Sequence, residues 1–310
     1  MPRRRINPLT SFGVPVKGGG VLQANTEYQW FVDYNWDKGF GDGRTQDRPL
    51  KYLQDAIDNC VDYRGDVIYV GRSYTPLTSS LLFNKHGISV IAMDYGLAPK
   101  ANGEYFCHDF SSTTTEPAAI ISKACFIYGL GFHTGWSAAN SYQVQMGDGT
   151  GGGVWGAHLK SCRFTDWGTG CDYGLRFRAG SNNLIENCSF EGNRDAAQRF
   201  VAGINFWTTS TNNPTNNQIK DCTFDYCDYA IDHRSSVNHQ GLIYGPGNMT
   251  NETGSKFLKT NSLSSSGIIH RNSFITSPGN GTFDLSTPDV EALGMKLVGN
   301  EYATENQGPF

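Results

Sequence analysis

One short segment recurs almost unchanged along the chain. The segments NLIENCSFEGN, from Asn183, and NQIKDCTFDYC, from Asn217, share an apolar residue, two polar residues, a cysteine, one polar residue and a phenylalanine. HLKSCRFTDWG repeats the cysteine and phenylalanine, and IIHRNSFITSP and KLVGNEYATEN carry an asparagine and an aromatic residue in the same frame. Equivalent positions are 24 to 34 residues apart. This period is typical of a solenoid, in which each copy stacks on its neighbours.

The local pattern within each copy indicates strands. Polar and apolar residues alternate with a period of two, and Asn, Gly, Ser and Thr are frequent between the copies, where turns are needed. Glycine accounts for 37 of the 310 residues. Parallel connections are strongly right-handed, so we expect an all-β fold, a single-stranded right-handed parallel β-helix. In the copy from 217 to 227 the alternation predicts Ile219, Asp221 and Thr223 on one side of the strand, and Lys220, Cys222 and Phe224 on the other.

Stacked copies should place equivalent side chains in ladders, about 4.8 Å apart. The eight cysteines could form four disulfides, but this spacing favours small buried thiols. No CxxC pair is present, and no His or Cys residues are spaced as metal ligands. We therefore expect no metal and no cofactor. The predicted core ladders are Cys162, Cys188 and Cys222, and Phe164, Phe190 and Phe224.

The N-terminal segment reads as an extended basic arm. It lacks the apolar stretch of a secretory signal, and the chain has no apolar run long enough to span a membrane. We expect no membrane partner and assembly in a reducing cytoplasm. The formal net charge of -4 makes nucleic acid a poor partner, which leaves an acidic protein surface or a solvated tail. The residues expected to dock are Arg3, Arg4, Arg5, Asn7 and Pro8.

A helix is predicted between the arm and the repeats. Asp47 is a candidate N-cap with Pro49 just inside the helix, and an amphipathic helix here would cover the open end of the solenoid. Its apolar stripe consists of Leu50, Leu53, Ala56, Ile57 and Cys60. The expected organisation is an arm at 1–27, an N-terminal cap at 28–64, the β-helix at 65–303 and a tail at 304–310.

The start of the chain resembles a known family. The order FVD, GDGRTQDRP, LQDAID and GDVIYV is similar to the opening of pectin-lyase-like right-handed parallel β-helix proteins, especially those of bacteriophage virions. NKHGISVIAMDYG and the IENCSF copies resemble the same group, so that the resemblance covers roughly residues 28 to 303. It implies the fold more than an activity, because the group includes lyases, hydrolases, tailspikes and capsid-decorating proteins.

The leading functional interpretation is a structural protein of a phage virion. Tailspikes of this group generally carry a head-binding domain before the β-helix and a trimerisation or receptor domain after it. Here a short arm precedes the cap, and little follows the last copy at Asn300 to Tyr302. We expect a trimeric capsid-decorating, or cement, protein on the capsid surface, whose partners are its own copies and the major capsid protein.

The alternative is a tail-borne glycan-binding protein or polysaccharide depolymerase. Such enzymes use paired carboxylates, or calcium with an arginine base. The candidates are Asp228, Asp232 and His233, of which the last two lie in an IDH tripeptide resembling one in pectate lyases. The rest of that motif is missing, so the leading interpretation assigns no catalytic residue. If the protein is an enzyme, we expect a polysaccharide lyase or glycoside hydrolase.

Aromatic residues near the ends of the copies have three interpretations: subunit contact, contact with a cell-surface glycan, or packing in the core and loops. They are Trp136, Tyr142, Trp155, Trp167, Tyr173, Trp207, Tyr226 and Tyr229.

Overall fold

The structure is a computed structural model. It describes residues 28–39, 41–71, 74–93, 108–112, 115–147, 153–166, 170–193, 195, 199–207, 214–233, 240–250, 256–260, 267–276, 283–285, 295–298 and 301–304. The predicted arm, with Arg3, Arg4, Arg5, Asn7 and Pro8, lies outside the described residues, as does 305–310 of the predicted tail.

The described residues form short strands and one helix. The first half comprises β1 (Gln29–Val32), α1 (Leu53–Asn59), β2 (Val67–Val70), β3 (Tyr74–Leu77), β4 (Leu81–Phe83), β5 (Ile88–Ala92), β6 (His108–Ser112), β7 (Ala119–Ile121), β8 (Cys125–Tyr128), β9 (Leu130–Thr134), β10 (Tyr142–Met146), β11 (Val154–Trp155), β12 (His158–Lys160), β13 (Arg163–Thr165) and β14 (Tyr173–Phe177). The second half comprises β15 (Gly180–Ser181), β16 (Leu184–Glu186), β17 (Ser189–Glu191), β18 (Phe200–Phe206), β19 (Gln218–Lys220), β20 (Thr223–Asp225), β21 (Cys227–His233), β22 (Leu242–Tyr244), β23 (Met249–Thr250), β24 (Lys256–Thr260), β25 (Gly267–His270), β26 (Ser273–Thr276), β27 (Phe283–Leu285), β28 (Met295–Val298) and β29 (Glu301–Thr304).

These strands build three long parallel sheets. Sheet A has the order β1-β2-β5-β8-β12-β16-β19-β22-β25-β28, sheet B the order β3-β6-β9-β13-β17-β20-β23-β26-β29, and sheet C the order β4-β7-β10-β14-β18-β21-β24-β27. The chain visits A, B and C in turn, and each strand pairs in parallel with the equivalent strand of the next turn. Strands β11 and β15 form a small separate parallel pair. In the sequence, each of them follows a strand of sheet C and precedes a strand of sheet A. The fold is a right-handed parallel β-helix, as predicted.

The corner between sheets A and B resets the alternation of side chains. Asp221 has a φ of 54°, in the left-handed region, and is exposed. Ile219 before it, and Cys222 and Phe224 after it, are all buried in the main core. The prediction that Ile219 faces away from Cys222 and Phe224 was therefore wrong, because strict alternation does not continue through a left-handed residue.

The predicted ladder positions lie inside this core. Phe164 pairs in register with Phe190, and Phe190 with Phe224. The successive ring centroids are 4.6 Å and 5.0 Å apart, and the rings are nearly parallel. Cys162, Cys188 and Cys222 are buried free thiols. Burial raises the pKa of the Cys162 and Cys188 thiols well above the ordinary value, so both are protonated at neutral pH.

Helix α1 covers the N-terminal end of the core. Leu53, Ala56 and Ile57 are fully buried, and the helix packs against β1, β2 and β4. It begins at Leu53, later than predicted, with Tyr52 rather than Asp47 at the N-cap. The Leu53 N–H donates to the Tyr34 hydroxyl at 3.0 Å, so a residue distant in sequence supplies the acceptor that a cap normally provides. No helix in the described part of the chain is long and apolar enough to cross a membrane.

Candidate functional site: the outward face of sheet C

The outward side chains of sheet C form two columns along the β-helix. In one column the side chains point outward because the neighbouring Val144, Leu175 and Ile204 point into the core. In the other column they pack together in a cluster that is separate from the main core. Register pairing aligns one column, here called the polar column: Gln145, Arg176, Asn205, Asp232 and Lys259. The second column contains Tyr142, Tyr173, Ala202 and Tyr229.

Arg176 lies at the centre of this face. Its side chain is 3% exposed, and its guanidinium lies 4.2 Å from the ring centroid of Tyr142 and 5.1 Å from those of Tyr173 and Trp207. Its Nε donates to Asn205 Oδ1 at 3.3 Å. Burial lowers the pKa of Arg176 to about 10, so the guanidinium remains charged at neutral pH. Three aromatic faces and one amide surround this cation.

Amide groups fix the polar column, Gln145 by hydrogen bonds within its own turn and Asn205 by hydrogen bonds to the neighbouring turns. The Tyr142 hydroxyl donates to Gln145 Oε1 at 2.8 Å, and Gln145 Nε2 donates to the Gly147 carbonyl at 2.7 Å. Asn205 Nδ2 donates to Asp232, at 3.4 Å to the carbonyl oxygen and 3.3 Å to Oδ2. Because these groups constrain one another, the face is preorganised.

The margin of the face is open to solvent. Trp136 is half-buried and packs edge-on against Tyr142, with centroids 5.0 Å apart. Tyr229 is half-buried, with Lys259 Nζ 4.8 Å from its ring centroid. Asp228 is exposed at one side; partial desolvation raises the pKa of its carboxyl, although Arg199 and Lys259 oppose this shift. The margin therefore presents aromatic faces beside charges of both signs.

The three residues of the enzyme alternative are not brought together. Asp228 and Asp232 lie four residues apart on β21, a separation of roughly 13 Å along an extended strand. Paired carboxylates of glycoside hydrolases lie about 5 to 9.5 Å apart. His233 is fully buried on the opposite side of the strand, edge-on to Phe206 with centroids 4.9 Å apart, and its Nε2 hydrogen-bonds to the Tyr244 hydroxyl. This arrangement does not form an acid–base pair.

Most of the aromatic residues singled out in the sequence gather on sheet C. Here the aromatic group means Trp136, Tyr142, Tyr173, Trp207 and Tyr229. Trp155 lies apart on β11 and is 54% exposed, and Tyr226 lies in the turn before β21 with a φ of 52°. Trp167 lies outside the described residues.

Sequence reasoning missed Gln145, Arg176 and Asn205. These residues and Asp232 are successively 31, 29 and 27 residues apart. The cysteine and phenylalanine copies mark the start of each turn. An alignment of the segments that follow them, turn by turn, could have placed these polar residues at one equivalent position. Among the described residues, no three His, Cys, Asp or Glu side chains lie close enough together to hold a metal ion.

No protein-family model matches the chain, and no curated protein matches it. Solved structures do. Pectin methylesterase from carrot is 10% identical over 92% of this chain and 85% of its own, with a TM-score of 0.54. Pectate lyase Pel9A is 11% identical over 91% of this chain and 78% of its own, with a TM-score of 0.54.

A viral protein, Geobacillus virus E2 ORF18, is 13% identical over 89% of this chain and 61% of its own. Its TM-score is 0.47. At these identities the similarity concerns the fold alone. The chain shares its parallel β-helix fold with pectin methylesterase and pectate lyase.

Proposed function

We propose that this chain is a bacteriophage virion protein that binds a saccharide through the outward face of sheet C. The observation that carries the proposal is that three half-buried rings of the aromatic group, Trp136, Trp207 and Tyr229, lie beside the polar column. Aromatic faces offer large, rigid contact area, and a few fixed polar groups orient a ligand. The virion assignment is supported by the sequence resemblance of the N-terminal region to phage β-helix proteins.

The geometry favours binding without cleavage. Asp232 is fully buried and hydrogen-bonded to Asn205, whereas Asp228 is exposed farther along the same strand. The two carboxylates are therefore not placed to act together, as acid and base, on one glycosidic bond. The proposed role is therefore recognition of a surface polysaccharide.

The test compares two aromatic variants with a matched control on an array of bacterial surface polysaccharides. Trp136→Ala and Tyr229→Ala remove half-buried rings from the margin of the face, whereas Trp155→Ala removes an exposed ring from the separate β11-β15 pair. We expect at least about tenfold weaker binding for the first two, since truncating an aromatic anchor of a binding surface costs about 2 kcal/mol or more. We expect wild-type binding for the control.

Two results would contradict the proposal. One is the absence of binding by the wild-type protein to any polysaccharide on the array. The other is release of new reducing ends from a bound polysaccharide, which would replace the binding role with an enzymatic one.

A second function, capsid decoration, is favoured by the N-terminal end. Tyr52, Val61 and Tyr63 flank α1 and are 52%, 49% and 78% exposed. Clustered exposed apolar side chains mark interaction surfaces. We propose that this end and residues 1–27 dock on the major capsid protein, with three copies of the chain around one axis. Several weak contacts would together hold the trimer on the capsid shell. Because the trimer would bind the assembled shell and not free capsid subunits, it would stabilise the shell.

Tyr63 allows a test that separates docking from folding. Its φ of 60° lies in the left-handed region, which an aromatic residue seldom adopts, and its ring stacks on His86 with centroids 4.8 Å apart. Tyr63→Gly removes the ring but relieves the backbone, so stability should change by less than about 1 kcal/mol. We expect less co-sedimentation with undecorated capsids, and loss of retention when residues 1–20 are deleted. Full occupancy by both variants would refute the docking proposal.

A further inference from the structure

The charge of Arg176 is not balanced by a carboxylate in the described part of the chain. No ion pair there includes Arg176, and its Nη2 has no hydrogen-bond partner among the described residues. By contrast, Arg163 on β13 pairs with Glu191 at 2.8 Å, and Arg64 pairs with Asp66 at 2.9 Å. A buried cation normally has an anionic partner, because its desolvation is costly.

The three rings around Arg176 differ in their access to solvent. Tyr173 is fully buried and Tyr142 is 7% exposed, whereas Trp207 is half-buried. Trp207 directly follows β18, at the end of the strand. Its indole is therefore the covering group that can move with the least loss of packing, and moving it would uncover the guanidinium on the solvent side.

We infer that Arg176 selects saccharides that carry a negatively charged group, a carboxylate or a sulfate, and that Trp207 moves aside to admit this group. This inference rests on the proposed saccharide-binding function. The guanidinium exchanges a contact with the indole face for hydrogen bonds from Nη2 to the ligand anion. Such charge-assisted bonds are stronger than neutral ones and favour anions with two available oxygens.

Neighbouring groups fit this assignment. Asn205 holds the Arg176 Nε, which limits rotation of the planar guanidinium and leaves Nη2 without a hydrogen-bond partner among the described residues. Lys259 lies at the same face, beside Tyr229. A ligand spanning both positions would contact two cations and the ring of Tyr229, and it would pass over the buried Asp232, which lies between them in the polar column. Binding should also weaken as salt concentration rises.

The experiment varies the ligand first. Wild-type protein is applied to an array of acidic and neutral bacterial polysaccharides, together with carboxyl-reduced copies and desulfated copies of each acidic one. We expect binding to acidic glycans and at least about tenfold weaker binding to the matched neutralised copies. Loss on carboxyl reduction identifies a carboxylate, and loss on desulfation identifies a sulfate.

Protein variants then locate the effect. Arg176→Gln should reduce the preference for acidic over neutralised copies to near unity, while Arg163→Gln on sheet B should retain it. In the wild type, binding of an acidic glycan should change tryptophan fluorescence, and this change should be absent in Trp207→Phe. Thermal unfolding followed by circular dichroism checks that each variant is folded.

The outcomes separate this inference from the function on which it rests. Equal binding of acidic and neutralised copies by the wild type would overturn the selection of an anion but leave saccharide binding intact. A preference that survives in Arg176→Gln would assign the selection to another residue. Binding to no glycan at all would overturn the proposed function itself.

Discussion

At the residue scale, one inward position at the corner between sheets A and B changes chemistry along the molecule. In the central turns it is Cys162, Cys188 and Cys222, and in later turns Asn248 and Asn272. Each of these three thiols lies near a backbone carbonyl of the preceding turn. For Cys188, the distance from Sγ to the carbonyl oxygen of Leu159 is 3.7 Å. Asparagine does more, because its amide both accepts from and donates to the backbone of its neighbour.

Asn248 should contribute measurably to stability. Its Oδ1 accepts the Cys222 N–H at 3.0 Å and its Nδ2 donates to the Ile219 carbonyl at 2.9 Å, both in the core. Asn248→Ala leaves the buried Cys222 N–H without its acceptor. It also removes one of the two hydrogen bonds to the Ile219 carbonyl, which keeps the one from the Gly245 N–H. We therefore expect the free energy of unfolding in urea to fall by about 1–3 kcal/mol. The exposed Asn84→Ala should stay within about 0.5 kcal/mol of the wild type. Equal stability of the two variants would show that the amide bonds are dispensable.

Glu186 on the outer face of sheet A should make stability depend on acid pH. Burial acts to raise the pKa of Glu186, but hydrogen bonds from Lys220 and Lys160, at 2.9 Å and 3.1 Å, outweigh it and lower the pKa to about 2. A lowered pKa stabilises the folded state above the unfolded value of 4.5, and this contribution is lost as pH falls towards 2.

Urea unfolding of Glu186→Gln and wild type at pH 7 and near pH 2 measures this effect. We expect the variant to be less stable by about 1–3 kcal/mol at pH 7, and the difference to shrink at the lower pH. A difference that is the same at both pH values would mean that charge is not its source.

At the element scale, α1 protects an open end. It packs against β1 and β4, the first strands of sheets A and C, whose outer edges would otherwise offer unpaired backbone groups. Its length of seven residues is too short for stability on its own, so the helix depends on burying Leu53, Ala56 and Ile57 against the core.

Ala56→Asp should disrupt this cap. Ala56 is fully buried, and a carboxylate there would be charged without a partner, so we expect destabilisation of about 3–5 kcal/mol. The exposed edge should also promote association. Size-exclusion chromatography with light scattering should show larger species for Ala56→Asp but not for Asp55→Ala, which changes an exposed position of the same helix. A variant that elutes like the wild type would argue against a protective role for α1.

At the scale of the whole molecule, the two proposed surfaces lie at different places. The exposed residues around α1 are at the N-terminal end, and the aromatic group lies on the flank made by sheet C. A protein anchored at one end would leave its flank available for ligand. The proposed capsid-decorating and saccharide-binding roles are therefore compatible.

The proposed trimer predicts a definite mass. Light scattering of the purified protein should give about three times the chain mass of 34.1 kDa and no larger species, since closed three-fold symmetry satisfies every interface. A mass that stays at one chain under the same conditions would exclude a stable trimer and leave the saccharide-binding proposal unaffected.

The sequence by itself determined the fold and the contents of its core. Every turn of a β-helix must present the same shape to the next, so the pattern around Cys188 and Phe190 is written again around Cys222 and Phe224, where it can be read without a structure. Alternation along a strand also places Asp232 and His233 on opposite faces, a consequence that the enzyme interpretation overlooked.

Only the tertiary structure decided the remaining features. The left-handed backbone at Asp221 determined which residues of the strands before and after it point into the core. The hydroxyl of Tyr34, which accepts the Leu53 N–H, determined where α1 begins. The candidate site is assembled from Gln145, Arg176 and Asn205, which share no local motif and meet because sheet C stacks equivalent strands. Contacts between residues about thirty positions apart depend on the exact length of each turn, and that length is set by packing rather than by any short stretch of sequence.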